Sequence, residues 1–243
     1  MAAALIRPMC LWQILRRQQW QQQNQRQVLL RLLSASLSSL DNAKVMSTKK
    51  WLEQVVVGEK LCPFASPLLK HAGLLRIVGS SARTTEEAID DVKREVYDLV
   101  GDPHAKHETT LVVLDDYEEN SGTSTFVHDY LEFVRLSWEL QADAVDTYAS
   151  KVQLVLFHPR ATHQTYASVP QDDDDNDGAA AGDYTIRSPY PTIHLLREED
   201  VLKAVQSGYP DLEYLPSRNK AKLIEQGLKT CRQRLQDCYT NEN

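Results

Sequence analysis

No acidic residue occurs in the first 40 positions of this 243-residue chain; the first is Asp41. No apolar run approaches the roughly 20 residues that cross a bilayer, so the expectation is a soluble domain with no membrane partner. Cysteine is scarce: Cys10, Cys62, Cys231 and Cys238 are all there is. They are widely spaced and form no C-x-x-C pair, which excludes a disulfide framework and a zinc knuckle and fits a reducing compartment. Glycine-rich phosphate loops, dinucleotide fingerprints, serine-hydrolase elbows and paired histidines on a helix are missing as well. These absences lower several common enzyme classes and name no cofactor.

Charge is spread unevenly. Residues 1–40 carry Arg7, Arg16, Arg17, Arg26 and Arg31, so of 27 basic residues 22 remain in the rest of the chain against 34 acidic ones, a net of −12. So acidic a body repels polyanions, which argues against nucleic acid as a partner. The arginine-rich, acid-free start ends in Ser34, Ser36, Ser38 and Ser39, and has the composition of an organelle transit peptide. The expected address is the mitochondrial matrix, with plastid as the alternative. A start at Met46, where Met-Ser-Thr-Lys-Lys follows, would instead give a cytoplasmic protein. The expected organisation is a leader over residues 1–45, one domain over 46–238 and a tail over 239–243. A domain of about 190 residues is long enough to bury a real core.

Within that domain helical and strand patterns alternate. Thr48 is read as the cap of a helix with Trp51, Leu52, Val55 and Val56 on one face, ending near Gly58. Strands are expected at Leu74–Val78, Thr109–Leu114, Lys151–Phe157 and Thr192–Leu196. Thr84 and Glu87 form a capping box ahead of Ile89, Val92, Val96 and Leu99. A long helix is read with Phe126, Val127, Tyr130, Leu131, Val134 and Trp138 inward, and two more helices over 201–205 and 217–238. On the last, Cys231 and Cys238 are seven apart and read as core. The pattern predicts an α/β fold: a mostly parallel sheet of about four strands with helices packed on it. Between Pro159 and Arg187 the rhythm breaks, and a disordered acidic loop is expected at about 168–184, around Asp172–Asp175.

Three clusters carry candidate chemistry. In Leu61-Cys-Pro-Phe-Ala65, Pro63 would open a short helix and leave Cys62 facing its free N–H groups, a placement that lowers a thiol pKa; the plainer reading is a buried, inert cysteine. In Phe157-His-Pro-Arg160, His158 stands at the carboxyl end of a strand, where open α/β sheets bind ligands; the plainer reading is a histidine bonded to a loop carbonyl. The third is Arg187-Ser-Pro-Tyr-Pro-Thr-Ile-His-Leu-Leu-Arg197. Pro189 and Pro191 hold Ser188 and Tyr190 extended, and either X-Pro bond is open to being cis. His194 falls mid-strand, and Arg187 and Arg197 each suit bidentate capture of a carboxylate or phosphate.

Trp51-Leu-Glu-Gln-Val-Val-Val-Gly58, Leu61-Cys-Pro-Phe-Ala65, Phe157-His-Pro159, Arg187-Ser-Pro-Tyr-Pro191, His194-Leu-Leu-Arg-Glu198 and Pro216-Ser-Arg-Asn219 follow one another in an order. That order resembles an uncharacterised, mainly bacterial family known only as domain of unknown function 1415, over about residues 48–225. The resemblance implies a domain of bacterial ancestry and carries no established activity. The chain departs from the family pattern at Glu59-Lys60, where a leucine–asparagine pair is usual, and at Ile186, where an asparagine is usual. The acidic insertion is also its own.

Two functional classes follow. One is an enzyme acting on a small anionic metabolite, with Arg187, Arg197, Ser188, Tyr190, Arg218 and Asn219 binding it, His158 or His194 moving protons and Cys62 as nucleophile. The other is a non-catalytic module holding an anion, or a metal through Cys62, His158 and His194. A protein-interaction domain is the third alternative.

Overall fold

Four short strands, β1 (Leu75–Gly79), β2 (Thr109–Val113), β3 (Val152–Phe157) and β4 (Thr192–Arg197), make one sheet in the order β1-β2-β4-β3. The computed structural model describes residues 39–82, 84–102, 106–114, 130–144, 151–163, 177–209 and 212–239. The arginine-rich leader up to residue 38, Phe126, Val127 and the Asp172–Asp175 run lie outside the described residues.

The sheet is mixed, not mostly parallel: β1 and β2 run parallel, while β4 is antiparallel to both β2 and β3. The registers give the reason. Gly79 pairs with Val113, and both Val113 and Phe157 pair with Thr192, so β4 begins at the edge where the other three strands end. A parallel strand needs a crossover back to the opposite edge. The 158–191 connection starts and finishes at the same edge, so β4 has to return against its neighbours.

Helices cover both faces. On one lie α3 (Thr85–Val96), which widens into a π turn over Tyr97–Gly101, and α4 (Tyr130–Ala144); before them in the chain come α1 (Ser39–Trp51), with its own π turn over Leu52–Val57, and α2 (Ala65–Lys70). Ala88, Val92, Leu99, Phe133, Leu136 and Leu140 meet Val112, Ile193 and Leu195 in this first core. Each fully buried side chain of this size contributes about 1.5–3 kcal/mol of transfer free energy. The other face is covered by α1, α5 (Asp177–Gly182), α7 (Leu215–Gln226) and α8 (Leu228–Asp237), with α6 (Glu198–Gln206) following β4. Here Trp51, Leu52, Val55, Leu223, Cys231 and Cys238 pack on Leu111, Ile77 and Phe157. Cys231 and Cys238 are buried, as their spacing predicts.

Local rules account for much of this. Thr84 caps α3: it is extended, and its Oγ1 accepts from Glu87 N at 3.2 Å. Glu86 and Glu87 in the first turn and Lys93 and Arg94 in the last complement the helix dipole. Thr48 is not a cap, because α1 already runs from Ser39 and places Thr48 in its interior. The phase of α4 differs from the expectation too. Phe133, Leu136 and Leu140 point inward, and Trp138 is 64% exposed. Both sets recur at helical spacing, and only packing against α3 and the sheet decides between them.

The acidic insertion ends inside the domain: residues 177–184 are helical, with Ala181, Asp183 and Tyr184 buried, where disorder was expected. Asp177-Gly-Ala-Ala-Ala-Gly182 shows no apolar periodicity because it packs closely on α7. A Cβ on Gly182 would stand 2.8 Å from the Lys220 side chain.

One helix expected over 217–238 is two, parted at Gly227, whose φ of 83° and ψ of 153° are open essentially to glycine alone. Nothing lies within 4 Å of a Cβ built there, so the strain is purely backbone. Gly227→Ala should therefore lose about 1–3 kcal/mol in a urea melt. A loss under about 0.5 kcal/mol would mean that the α7–α8 junction relaxes into a continuous helix.

Candidate functional site

The 158–191 connection brings two of the three sequence clusters together at the carboxyl edge of the sheet. His158 N donates to Ile186 O at 3.2 Å, and Arg187 Nε donates to Ala161 O at 2.9 Å, so the Phe157–Ala161 turn and the double-proline segment brace each other. Ile186 uses its backbone in this contact and in a bond to Asp183 O, which any side chain at that position permits. The segment that follows is a turn. Ser188 Oγ and Thr192 Oγ1 both donate to Tyr190 O, at 2.6 and 2.8 Å, and Leu114 N donates to Pro191 O. No peptide bond among the described residues is cis. Ser188 is buried and Tyr190 stacks edge-on to Tyr239, so both serve to launch β4.

His158 is 1% exposed and faces α4, with Tyr130 and Phe133 ring centroids at 5.4 and 5.3 Å. Its Nδ1 accepts from Arg160 N at 3.0 Å, which places the ring proton of the neutral form on Nε2. His194 lies under the opposite face. Thr109 Oγ1 donates its proton to Leu195 O, so at 2.7 Å it accepts from His194 Nε2. The residue is only half-buried, but its ring is enclosed, and that burial pushes its pKa down to about 4. It is a neutral, committed imidazole.

Arg197 is at the other edge of the sheet, five residues of strand beyond Thr192, or about 16 Å at a rise of about 3.3 Å per residue. Its guanidinium donates to Leu99 O and His107 O and approaches Asp200 at 3.8 Å. Arg187 and Arg197 therefore do not grip one ligand. Arg218 is exposed on α7, and Asn219 is buried with Nδ2 donating to Leu61 O, tying α7 to the turn that precedes α2. Cys62 is half-buried in that turn. Burial raises its pKa, and the N–H groups of Phe64 and Ala65, which act in the direction the sequence suggests, do not offset it. It is a thiol, not a thiolate. Among the described residues no three His, Cys, Asp or Glu side chains come together as metal ligands would, so Cys62, His158 and His194 do not assemble a metal centre.

What Arg187 does reach is a crevice under α1, α7 and α8, walled by Trp51, Val55, Glu59, Tyr184, Leu223, Cys231, Arg234 and Leu235. It encloses about 280 Å³ of free space, its open mouth included. Arg187 lies over the Tyr184 ring at 4.8 Å and 3.6 Å from Asp183, with its side chain 21% exposed. Trp51 packs edge-on to Phe157 at 5.1 Å and is 2% exposed, yet its indole N–H has no acceptor among the described residues. Glu59 binds Lys222 at 3.0 Å, Arg234 at 2.9 Å and Gln226 at 2.8 Å. Burial alone would raise its pKa, but the Gln226 and Lys222 hydrogen bonds with Arg234 nearby hold the carboxyl below its usual value.

Sequence reasoning found Arg187 and missed the rest of this wall. Trp51 and Val55 were legible as one helix face, but read as core. The Glu59–Arg234 pair joins positions 175 apart and leaves no local signal.

The family model described as a protein of unknown function, DUF1415, matches residues 43–233, which contain every wall residue of the crevice except Arg234 and Leu235. The chain belongs to the DUF1415 family. No curated protein and no solved structure matches it. Within the DUF1415 domain, Lys60 takes a φ of 55°, a left-handed conformation that asparagine fills at less strain, and asparagine is the residue that the family resemblance expects there. No helix of the described residues is long and apolar enough to cross a membrane.

Proposed function

We propose that the DUF1415 domain of this chain binds a small anionic molecule in the Trp51–Arg187 crevice, with Arg187 as the anchor. The observation that carries the reading is a guanidinium in the wall of a concave, largely apolar site beside a buried donor without an acceptor. Around it stand the cations Arg187, Arg234 and Lys222 against the carboxylates Glu59 and Asp183, a local excess of one positive charge. A cleft lined in this way favours an anion. The free space of about 280 Å³ includes the open mouth, so the crevice is shallow and suits only a very small anion lying against Arg187.

This is the binding-module reading. The enzyme reading loses its acid–base groups, since His158 and His194 are bonded elsewhere and neither they nor Cys62 lines the crevice. Ligand-observed NMR on the full chain, titrated with acetate, propionate, butyrate and inorganic phosphate, tests the proposal. Binding of at least one anion is expected, with affinity about tenfold or more weaker in Arg187→Gln. Arg187→Lys, which keeps the charge and loses the fork, should fall between them. Unchanged binding in a folded Arg187→Gln, or no anion bound at millimolar concentration, would overturn it.

A further inference from the structure

We infer that Lys222, Gln226 and Arg234 form a carboxylate cradle, separate from Arg187, which the chain keeps closed with its own Glu59 and which takes a free monocarboxylate of formate or acetate size when that side chain swings out. The seated Glu59 head group is the stand-in for such a ligand, and it shows what the cradle recognises. Its Oε1 lies 2.9 Å from Arg234, and its Oε2 lies 3.0 Å from Lys222 and accepts from Gln226 at 2.8 Å. Arg234 also donates to Gln226 Oε1, which turns the amide NH2 of Gln226 towards the carboxylate. Three donors thus engage both oxygens of one planar head group, two of them through charge-assisted bonds. Two cations face one carboxylate, a surplus of one positive charge with Glu59 in place and of two without it.

The cradle is built without the segment that carries Glu59. Lys222 and Gln226 are four apart on α7 and share a face. The chain turns back at Gly227, and α8 returns Arg234 to hydrogen-bond reach of Gln226. Glu59 comes from the turn that follows the π turn of α1, and that turn is fastened by its backbone. Glu59 N donates to Val55 O and Leu61 N to Val56 O, while Lys222 reaches Glu59 O and Asn219 holds Leu61 O. None of these bonds uses the Glu59 carboxylate, so the side chain can leave while the turn stays. Solvent reaches the cradle, since the Lys222 and Arg234 side chains are 38% and 36% exposed. The incoming anion takes the room that the departing head group vacates, so the shallowness of the crevice is no obstacle and sets the size instead. A tethered carboxylate competes at an effective concentration on the order of millimolar or above, which makes Glu59 an internal inhibitor of this site.

The probes are sodium formate and sodium acetate, with sodium chloride at equal ionic strength as the control for screening. In the full chain carrying Glu59→Ala, at least one of the two acids is expected to bind about tenfold or more tighter than in the wild type. It should raise the melting temperature of that variant by about 4 °C at ten times its dissociation constant. Chloride should not reproduce the rise, and Arg234→Gln added to Glu59→Ala should abolish it. Should Glu59→Ala not fold, Glu59→Gln serves, because its amide fills the space without the charge and yields to acetate more readily than the native carboxylate. The Gln226 side-chain amide, labelled with nitrogen-15 and assigned by its loss in Gln226→Leu, should move on binding. An equal response in wild type and Glu59 variants, or a rise that chloride matches, would overturn the cradle. So would a response that Arg187→Gln removes and Arg234→Gln leaves, which would assign the anion to Arg187 and keep that reading intact.

Discussion

Between pH 7.5 and pH 5 the domain should lose about 2 kcal/mol of folding stability through His194 alone. The His194 pKa falls from 6.5 in the unfolded chain to about 4 in the fold because burial of the ring disfavours its charged form. In that window the unfolded chain binds a proton that the folded one refuses, so stability is full above pH 6.5 and declines as pH drops towards 4. Across the whole window, at about 1.4 kcal/mol per pH unit, the loss comes to about 3 kcal/mol. Comparison with His194→Gln isolates the effect, since every other titrating group is shared and glutamine can still donate to Thr109. Urea denaturation of both proteins at the two pH values is the measurement. Parallel losses in the two would mean that the His194 ring is hydrated and protonates in place.

Arg197→Met should cost about 3 kcal/mol at neutral pH and leave anion binding intact. The guanidinium joins the end of β4 to Leu99 O in the π turn after α3 and to His107 O before β2. Leu99 is 1% exposed, so methionine would strand a carbonyl in a dry setting while filling most of the space. Arg197→Lys should fall between, because a lysine reaches one acceptor where the fork reaches two. Loss of anion binding with unchanged stability would reverse the roles assigned to Arg187 and Arg197.

The way these two arginines divide shows what the sequence disclosed. Strand and helix positions were readable because strands needing apolar neighbours on both faces, such as Thr109–Val113, stand out from helices with one apolar stripe. Strand direction was not, because it depends on which edge a 34-residue connection returns to, and the 158–191 segment carries no mark of that. Arginine, histidine and proline crowd together between 187 and 197, and in sequence that crowding reads as one ligand site. An extended strand carries its two ends to opposite edges of the sheet, so only the first arginine meets a crevice. The partners that make that crevice, Glu59 with Arg234 and Trp51 with Tyr184, are tertiary meetings of residues ordinary in their own segments. Cys62 carries a related lesson: both its backbone partners and its burial are suggested by Leu61-Cys-Pro-Phe-Ala65, but only the fold decides that burial outweighs the partners.

The position of β4 bears on how the chain emerges from a ribosome. β2 and β3 share no hydrogen bonds; each waits for the strand that arrives last in sequence and wedges between them. A nascent chain that has not yet reached Thr192 holds a β1–β2 pair and a separate β3, with the inner rims of both open to any other extended segment. The second-face helices α7 and α8 come later still. Completion of the sheet therefore waits for β4, and truncations that end before Thr192 should be the form of this protein most in need of a chaperone.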